Sequence, residues 1–406
     1  MVVDRAVDAI KEMKYMTRSA DVLVIGGGII GLSCGFYLSK RGKRVFVLDT
    51  GGFADGASGA CDDMILFQSK KPGINLELTF ESLELYKSLL TELGGDLGFA
   101  NLGGMVLIEN QQELEIMEEF VAQQRSYGLD VEVIDKREML KKQPFLSDHI
   151  IASTYSRMDS QVDPFAVMRG FERKGTSYGM KVFRRNGVVG IDRIGTGDFQ
   201  VGTVDGTIFQ APVVINAAGT WAGQIGAMVA ANVPITPKRG QIVITERVPP
   251  IGDTNIWSAK YLVTKLRSDV VVDLNEDERS LGLSLALTRS GGDTYLIGST
   301  REFVGFDKRT TIAGIRAIIN QTLKVVPKLR EVNFIRSIAG LRPSTPDGRM
   351  LLGEHAGIEG FFTAAGHEGD GIALAPITGK LLASMVCHDP VDQRLDELSP
   401  NRFAKS

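Results

Sequence analysis

The chain has 406 residues, of which 46 are basic and 49 acidic, for a net charge of −3 at neutral pH. That length exceeds one simple core and predicts two intimately packed domains, while the mild charge balance leaves no nucleic-acid footprint and no like-charged tail. Three cysteines (Cys34, Cys61, Cys387) and four histidines (His149, His355, His367, His388) are scattered without ligand spacing, which fits a reducing compartment and gives no metal site.

Residues 1–19 are expected to form an N-terminal extension. Val2 to Met16 mixes apolar and charged residues at rough helical spacing, a short amphipathic helix or a frayed end without the apolar core of a signal peptide. Nothing later approaches the length of a membrane span, so a cytoplasmic chain is expected, or one held peripherally at an inner membrane through partners.

The pattern sharpens from Ala20 to Thr50. A buried apolar strand, Val22 to Ile25, runs into Gly26-Gly27-Gly28-Ile29-Ile30-Gly31, then a helix to Lys40 and a second buried strand ending at Asp49. Gly26 allows a tight turn, Gly28 lets a pyrophosphate approach the backbone, and Gly31 lets the helix lie close to the strand. The helix N-terminus offers free N–H groups to phosphate, and Asp49 stands at the spacing of an acid that bonds a ribose hydroxyl. The strand, helix and acid around the glycines predict dinucleotide binding; the motif alone does not separate FAD from NAD.

Small residues follow, from Thr50 through Ser58 to Met64, where backbone can crowd a ligand. A helix is predicted from Pro72-Gly73 to about Leu93, a strand pair over Phe99–Ile108 around Gly103-Gly104, a charged helix over Gln111–Tyr127, and a strand at Val131–Ile134. Asp163-Pro164 is a helix start, with Asp as N-cap and Pro at the first helical position. A meander of strands is expected over Lys181–Arg184, Gly187–Ile194, Phe199–Val204 and Thr207–Phe209, turned by Gly195, Gly197 and Gly206. The strand Pro212–Asn216 then ends in Ala217-Ala218-Gly219 before a helix from about Trp221. That arrangement reads as a second contribution to the nucleotide sheet, with Ala218, Gly219 and Trp221 as candidate cofactor neighbours. Gln241 to Asn320 is expected to alternate strands and turns, clearest at Thr294–Thr300, where Tyr295 is a catalytic candidate. A helix is expected from Lys308 to Val326, stopped by Pro327.

The last rich stretch is Gly340-Leu-Arg342-Pro343 and, beyond it, Gly366-His367-Glu368-Gly369-Asp370-Gly371-Ile372, another strand, glycine turn and helix. Together with the opening fingerprint, Val162-Asp-Pro164, Asn216-Ala-Ala-Gly219-Thr-Trp221 and Pro237-Lys-Arg-Gly240-Gln241, these residues resemble the D-amino-acid oxidase superfamily in its glycine oxidase and sarcosine oxidase branch. The likeness runs from about Asp21 to Val386. It implies FAD rather than NAD, and an α/β chain with a Rossmann-type FAD-binding domain interleaved with an α+β substrate domain built on a large antiparallel sheet. The division expected is 20–75, 160–230 and 335–390 for FAD, 76–159 and 231–334 for substrate, and a tail at 391–406.

By position, the resemblance implies FAD contacts at Ile29, Ile30, Asp49, Thr50, Ala57, Ser58, Cys61, Asp62, Asp63, Met64, the Val188 backbone, and His367, Glu368, Gly369, Asp370, Gly371 and Ile372. Arg342 matches the arginine that holds the substrate carboxylate, a task for which a planar fork is suited; a structural salt bridge is its other reading. Asp49 stands where Glu is commoner. Asp62-Asp63 puts two acids near the flavin, either to meet a cationic substrate arm or to lie in solvent, with Asp63 a further catalytic candidate. The Arg342 region lacks the flavin-tethering cysteine of sarcosine oxidases, which implies non-covalent FAD, and their oxygen-activating lysine is not evident near Tyr295–Thr300.

The chemistry implied is hydride transfer from a carbon bearing an amine to flavin N5, with Arg342 anchoring the carboxylate, the amine neutral and no protein base required. His367 reads as a structural residue beside the flavin rather than a proton acceptor. Three functions are open: the flavin subunit of a heteromeric proline, hydroxyproline or opine dehydrogenase, with partner subunits or another electron acceptor; a stand-alone glycine- or sarcosine-type oxidase making peroxide; and a non-catalytic NAD-binding scaffold.

Overall fold

The computed structural model describes residues 17–195, 197–267, 269–270 and 272–403. The helix expected within Val2–Met16 lies outside the described residues. Thr17–Ser19 is a strand paired in parallel with Ile208–Ala211, so the expected extension ends in ordered structure.

Two sheets frame the molecule. The first has six strands, with Val22–Ile25 at its centre between Val213–Asn216 and Val45–Leu48. Its central strands are almost wholly buried and read as near-continuous apolar runs, Val-Leu-Val-Ile, Val-Phe-Val-Leu and Val-Val-Ile-Asn, as a helix-covered parallel sheet requires. Only Leu351–Glu354, at one edge, runs antiparallel. Lys181–Phe183 pairs in parallel with Val45–Leu48 at the other edge, which corrects its assignment to the meander. The remaining strands, Val188–Ile194, Asp198–Thr203 and Ile208–Ala211, form that meander beside the sheet.

The helices Ile29–Lys40, Ile74–Glu92, Pro164–Ser177 and Gly371–Val386 share one core on this sheet. The expected boundary at residue 76 therefore falls inside a helix that packs with the nucleotide-side core. Asp163 caps its helix as the sequence indicates, accepting the Phe165 and Ala166 N–H groups at 2.8 and 3.1 Å. Pro376 interrupts the ladder of Gly371–Val386 and takes away the N–H that would meet the Ile372 carbonyl. The Tyr86 hydroxyl fills that vacancy at 2.6 Å, and Ser33 Oγ donates to the Ala375 carbonyl at 2.8 Å. Gly379 permits the crossing, since a Cβ there would strike Ser33.

The second sheet has eight strands, from the edge strand Phe334–Ser344 through Thr236–Thr245 to Val131–Asp135. It is antiparallel apart from Asn255–Ser258, which runs parallel to Gly104–Ile108. Two further expectations are corrected. Only Gly104–Ile108 is a strand within 99–108, because the Ala100 and Gly103 N–H groups bond to Gln161 and Asp159 instead of forming a hairpin. The stretch 241–320 also contains the helices Ala259–Leu266 and Glu276–Ser280. Ser258 caps the first, and Asn275 with Glu278 forms a capping box for the second, signals present in the sequence but outweighed by neighbouring strand patterns. The later helix begins at Ile312, capped by Thr311, and not at Lys308.

Candidate active site

A cavity of 1020 Å³ runs from the glycine turn of the parallel sheet to the inner face of the eight-stranded sheet. At the first end, Gly26 has φ +112°, and a Cβ on it would meet the Ala217 carbonyl. Gly31 does not line the cavity; a side chain there would collide with the Gly26 carbonyl, so its part is to let the helix approach the strand. A Cβ on Gly28 would meet only Ser58 Oγ, at 3.3 Å, leaving the space above the helix start open. That helix has no acid in its first turn, and Ser58 Oγ accepts the Ile29 N–H at 3.1 Å. Asp49 accepts the Gly27 and Gly51 N–H groups at 2.5 and 2.6 Å and lines the cavity with acceptor capacity to spare. An open, acid-free helix N-terminus beside an anchored carboxylate fits the phosphates and ribose of a dinucleotide.

The other expected contacts divide cleanly. Ile29, Ile30, Thr50, Ala57, Ser58, Cys61, Asp62, Met64, Val188, Ala218, Gly219, Trp221 and the whole run His367–Ile372 line the cavity. Asp63 does not: its backbone carbonyl takes the Val162 N–H, and burial together with neighbouring Asp62 pushes its carboxyl up to about 8. Tyr295 does not either, because its hydroxyl accepts the Ile251 N–H at 2.9 Å inside the core behind the sheet. Neither catalytic expectation is supported by position.

His367 lies against Thr378, Nε2 to Oγ1 at 3.0 Å, and burial lowers its ring to about 4, so it is neutral at pH 7. Asp370 is tied to buried Lys70 at 2.9 Å, and Glu368 to Lys238 at 3.2 Å. Both acids of this turn are thereby neutralised by lysines that also line the cavity, lysines the sequence reading had not singled out.

At the far end stands Arg342, on the edge strand opposite Lys238. Gly240 makes room for it, since a Cβ there would overlap the guanidinium. Arg342 Nη1 donates to the Thr300 carbonyl at 3.1 Å and Nη2 to Ser299 Oγ at 2.8 Å. Among the described residues no carboxylate reaches ion-pair distance of it, which removes the salt-bridge reading. Burial first, and then the charge of Arg301, pushes its pKa down to about 10. Half-buried Asp62 lines the same cavity, its carboxyl raised by burial and opposed by the charges of Arg342 and Arg301. Ser299, Arg301, Trp257 and Tyr261 complete this chamber; they come from the segment after the strand Tyr295–Gly298, from the strand Asn255–Ser258 and from the helix Ala259–Leu266, with no shared local motif.

Residues 21–385 match the family described as DAO, FAD dependent oxidoreductase. The chain is 30% identical over 380 residues to glycine oxidase of Geobacillus kaustophilus, covering 91% of this chain and 94% of that protein. It is 28% identical over 413 residues to hydrogen cyanide synthase subunit HcnC of Pseudomonas aeruginosa, covering 91% and 93%. The crystal structure of the Geobacillus kaustophilus glycine oxidase matches with a TM-score of 0.85 at 28% identity, over 95% of this chain and 100% of that one. L-Proline dehydrogenase from P. horikoshii matches at 0.84 and 25% identity, over 96% and 98%. Among the described residues no helix is long and apolar enough to cross a membrane.

Proposed function

The chain belongs to the DAO family of FAD dependent oxidoreductases, and on that premise we propose that it oxidises the C–N bond of an amino acid held by Arg342. The reaction class is FAD-dependent oxidation of an amino acid or amine: the carbon bearing nitrogen loses a hydride, the nitrogen a proton, and water hydrolyses the imine. FAD, when bound, supplies the hydride acceptor. Everything else asked of the protein is position and charge.

The observation that carries this reading is Arg342 itself. Its guanidinium is held by two neutral acceptors and lines a chamber in which, among the described residues, no carboxylate comes within pairing range of it. A substrate carboxylate is the partner that such a desolvated fork lacks. His367, neutral and engaged with Thr378, shapes the wall and takes no proton, so the amine enters uncharged and the rate rises with pH. Anaerobic mixing of FAD-loaded protein with glycine, sarcosine, D- and L-proline, hydroxyprolines and opines tests the reading. Bleaching by members of that panel, and none by their decarboxylated analogues, is expected; equal bleaching by both would overturn the carboxylate anchor.

As electron acceptor we favour partner subunits, with the chain serving as the flavin subunit of a proline, hydroxyproline or opine dehydrogenase. Its support is the likeness to a synthase subunit and to L-proline dehydrogenase, and the open edge strand Phe334–Ser344, where Phe334 and Ile335 are 53% and 65% exposed. The likeness to glycine oxidase favours instead a stand-alone oxidase releasing peroxide. Slow turnover in air restored by an artificial dye is the expected result; fast, stoichiometric peroxide would establish the oxidase.

A further inference from the structure

We propose that Arg301 is a second carboxylate-binding residue in the same chamber, and that the site is built for an amino acid carrying two anionic groups. The inference rests on the oxidoreductase reading for the reaction, but its binding claim stands on geometry alone. Arg301 follows Thr300, whose carbonyl holds Arg342, so the two guanidinium groups meet around one short segment.

Alternation along that segment decides where Arg301 points. Thr300 and Glu302 turn to the back of the sheet, Thr300 Oγ1 donating to Glu302 at 2.7 Å and Glu302 pairing with Arg239 at 2.7 Å. Ser299 and Arg301 face the cavity. The backbone is fixed on both sides, since the Arg301 N–H donates to the Leu281 carbonyl at 2.8 Å and the Glu302 N–H to the Arg239 carbonyl at 3.0 Å. The Arg301 guanidinium lies over the Tyr261 ring, 3.8 Å from its centroid, which fixes its plane and leaves its edge to donate.

What that edge lacks is an acceptor. Arg301 Nη1 is buried and makes no hydrogen bond, and no acid pairs with Arg301 among the described residues. Arg239 shows what a purely structural arginine looks like on the same sheet: it is bidentate to Glu302 and reaches Asp307 at 3.2 Å. Among the described residues the chamber therefore sets two guanidinium groups without an ion-pair partner against Asp62, the nearby Glu368 and Asp370 being taken up by Lys238 and Lys70. An amino acid with two carboxylates and one amine has the complementary pattern, one carboxylate on each arginine and the amine toward Asp62. A monocarboxylic amino acid leaves the buried Arg301 Nη1 unmatched.

The test measures binding first. FAD-loaded protein is titrated calorimetrically with glutarate and with butyrate, which share a three-carbon chain but carry two and one carboxylates on it. Glutarate is expected to bind roughly 10- to 100-fold tighter, the range for a charged hydrogen bond made or left unmade. Arg301→Gln should remove that preference while leaving butyrate affinity and FAD content near wild type, and Arg301→Lys should restore part of it. Equal affinity for the two acids in wild type, or a preference that survives in either variant at full strength, would overturn the proposal; if Arg301→Gln fails to fold, wild type and Arg301→Lys still decide it. Flavin bleaching by glutamate and N-carboxyalkyl amino acids against norvaline is scored separately. Preference for glutarate without any bleaching would uphold the second anion site and refute the reaction assigned above.

Discussion

The two ends of the cavity are made from different materials. At the glycine turn the ligand-facing groups are mostly backbone, and the side chains serve to hold them: Asp49 anchors two loop N–H groups, and Ser58 holds the first N–H of the helix. At the far end the groups are side chains, Arg342, Arg301, Ser299, Tyr261 and Asp62, drawn from four separated stretches of chain. A backbone site must be contiguous, because consecutive N–H groups come only from consecutive residues. A side-chain site need only converge, and convergence is set by sheet register.

Breaking the backbone end has the largest expected effect, and the structure separates its glycines. Gly26 holds φ +112° against the Ala217 carbonyl, so Gly26→Val should yield little folded protein, as measured by soluble yield and thermal melting. Gly28 has an ordinary negative φ and only Ser58 Oγ within reach. Gly28→Val should fold but emerge colourless and less stable, because bound FAD stabilises by mass action. Full flavin occupancy in Gly28→Val would displace the phosphates from this turn.

Removing the main side chain of the other end should be milder in structure and sharper in function. Arg342→Ala should cost roughly 2–4 kcal/mol of substrate-carboxylate interaction, the scale for leaving a buried ionic partner unpaired. That is about a 30- to 1,000-fold loss in kcat/KM, with FAD content unchanged and Arg342→Lys recovering part. Decarboxylated amines should be affected little. Equal losses on both substrate classes, or loss of FAD, would make Arg342 structural.

Between the two ends lies His367, where pH supplies the probe. Its folded pKa of about 4 lies below the ordinary value of 6.5, with desolvation lowering it and Asp370 pulling the other way. A depressed histidine adds stability that is fully present above about 6.5 and is lost as pH falls toward 4, since the unfolded chain takes up the proton first. The full loss is about 3 kcal/mol. In denaturant melts the stability gap between wild type and His367→Gln should therefore narrow across that window; a constant gap would mean the ring is not buried neutral.

How far these features could be read from sequence follows the same division. The strand, turn, helix and acid around Gly26–Asp49 are local, and so are the Asp163-Pro164 start and the Gly366–Ile372 turn. Arg342 was found through resemblance. Arg301 and Tyr261 were missed because nothing between 257 and 301 announces that these residues share a chamber; the register Gly240 to Gly340 and Ile242 to Gly298 brings them together. Tyr295 shows the converse error. It sits on the clearest strand of that region, yet its side chain falls on the core face, and one residue of register decides the face.

Ser299 carries the smallest and most discriminating prediction. Its Oγ accepts from Arg342 Nη2 at 2.8 Å, while its backbone exchanges bonds with Ser284 at 2.7 and 3.1 Å. The backbone bonds keep the segment in place when the hydroxyl is removed, so Ser299→Ala deletes one hydrogen bond to a charged group and little else. Such a bond contributes about 1.5–3 kcal/mol at most, and the guanidinium retains its bond to the Thr300 carbonyl, so the loss expected is nearer about 1 kcal/mol, or roughly fivefold in kcat/KM. It should appear mainly as a raised KM, because Ser299 positions the arginine and touches no reacting atom. The decisive measurement is the double variant. If Ser299 acts through Arg342, then adding Ser299→Ala to Arg342→Ala should cost nothing further on carboxylated substrates. Additive losses would show that Ser299 supports the chamber wall independently, and that the fork of Arg342 is held by the Thr300 carbonyl alone.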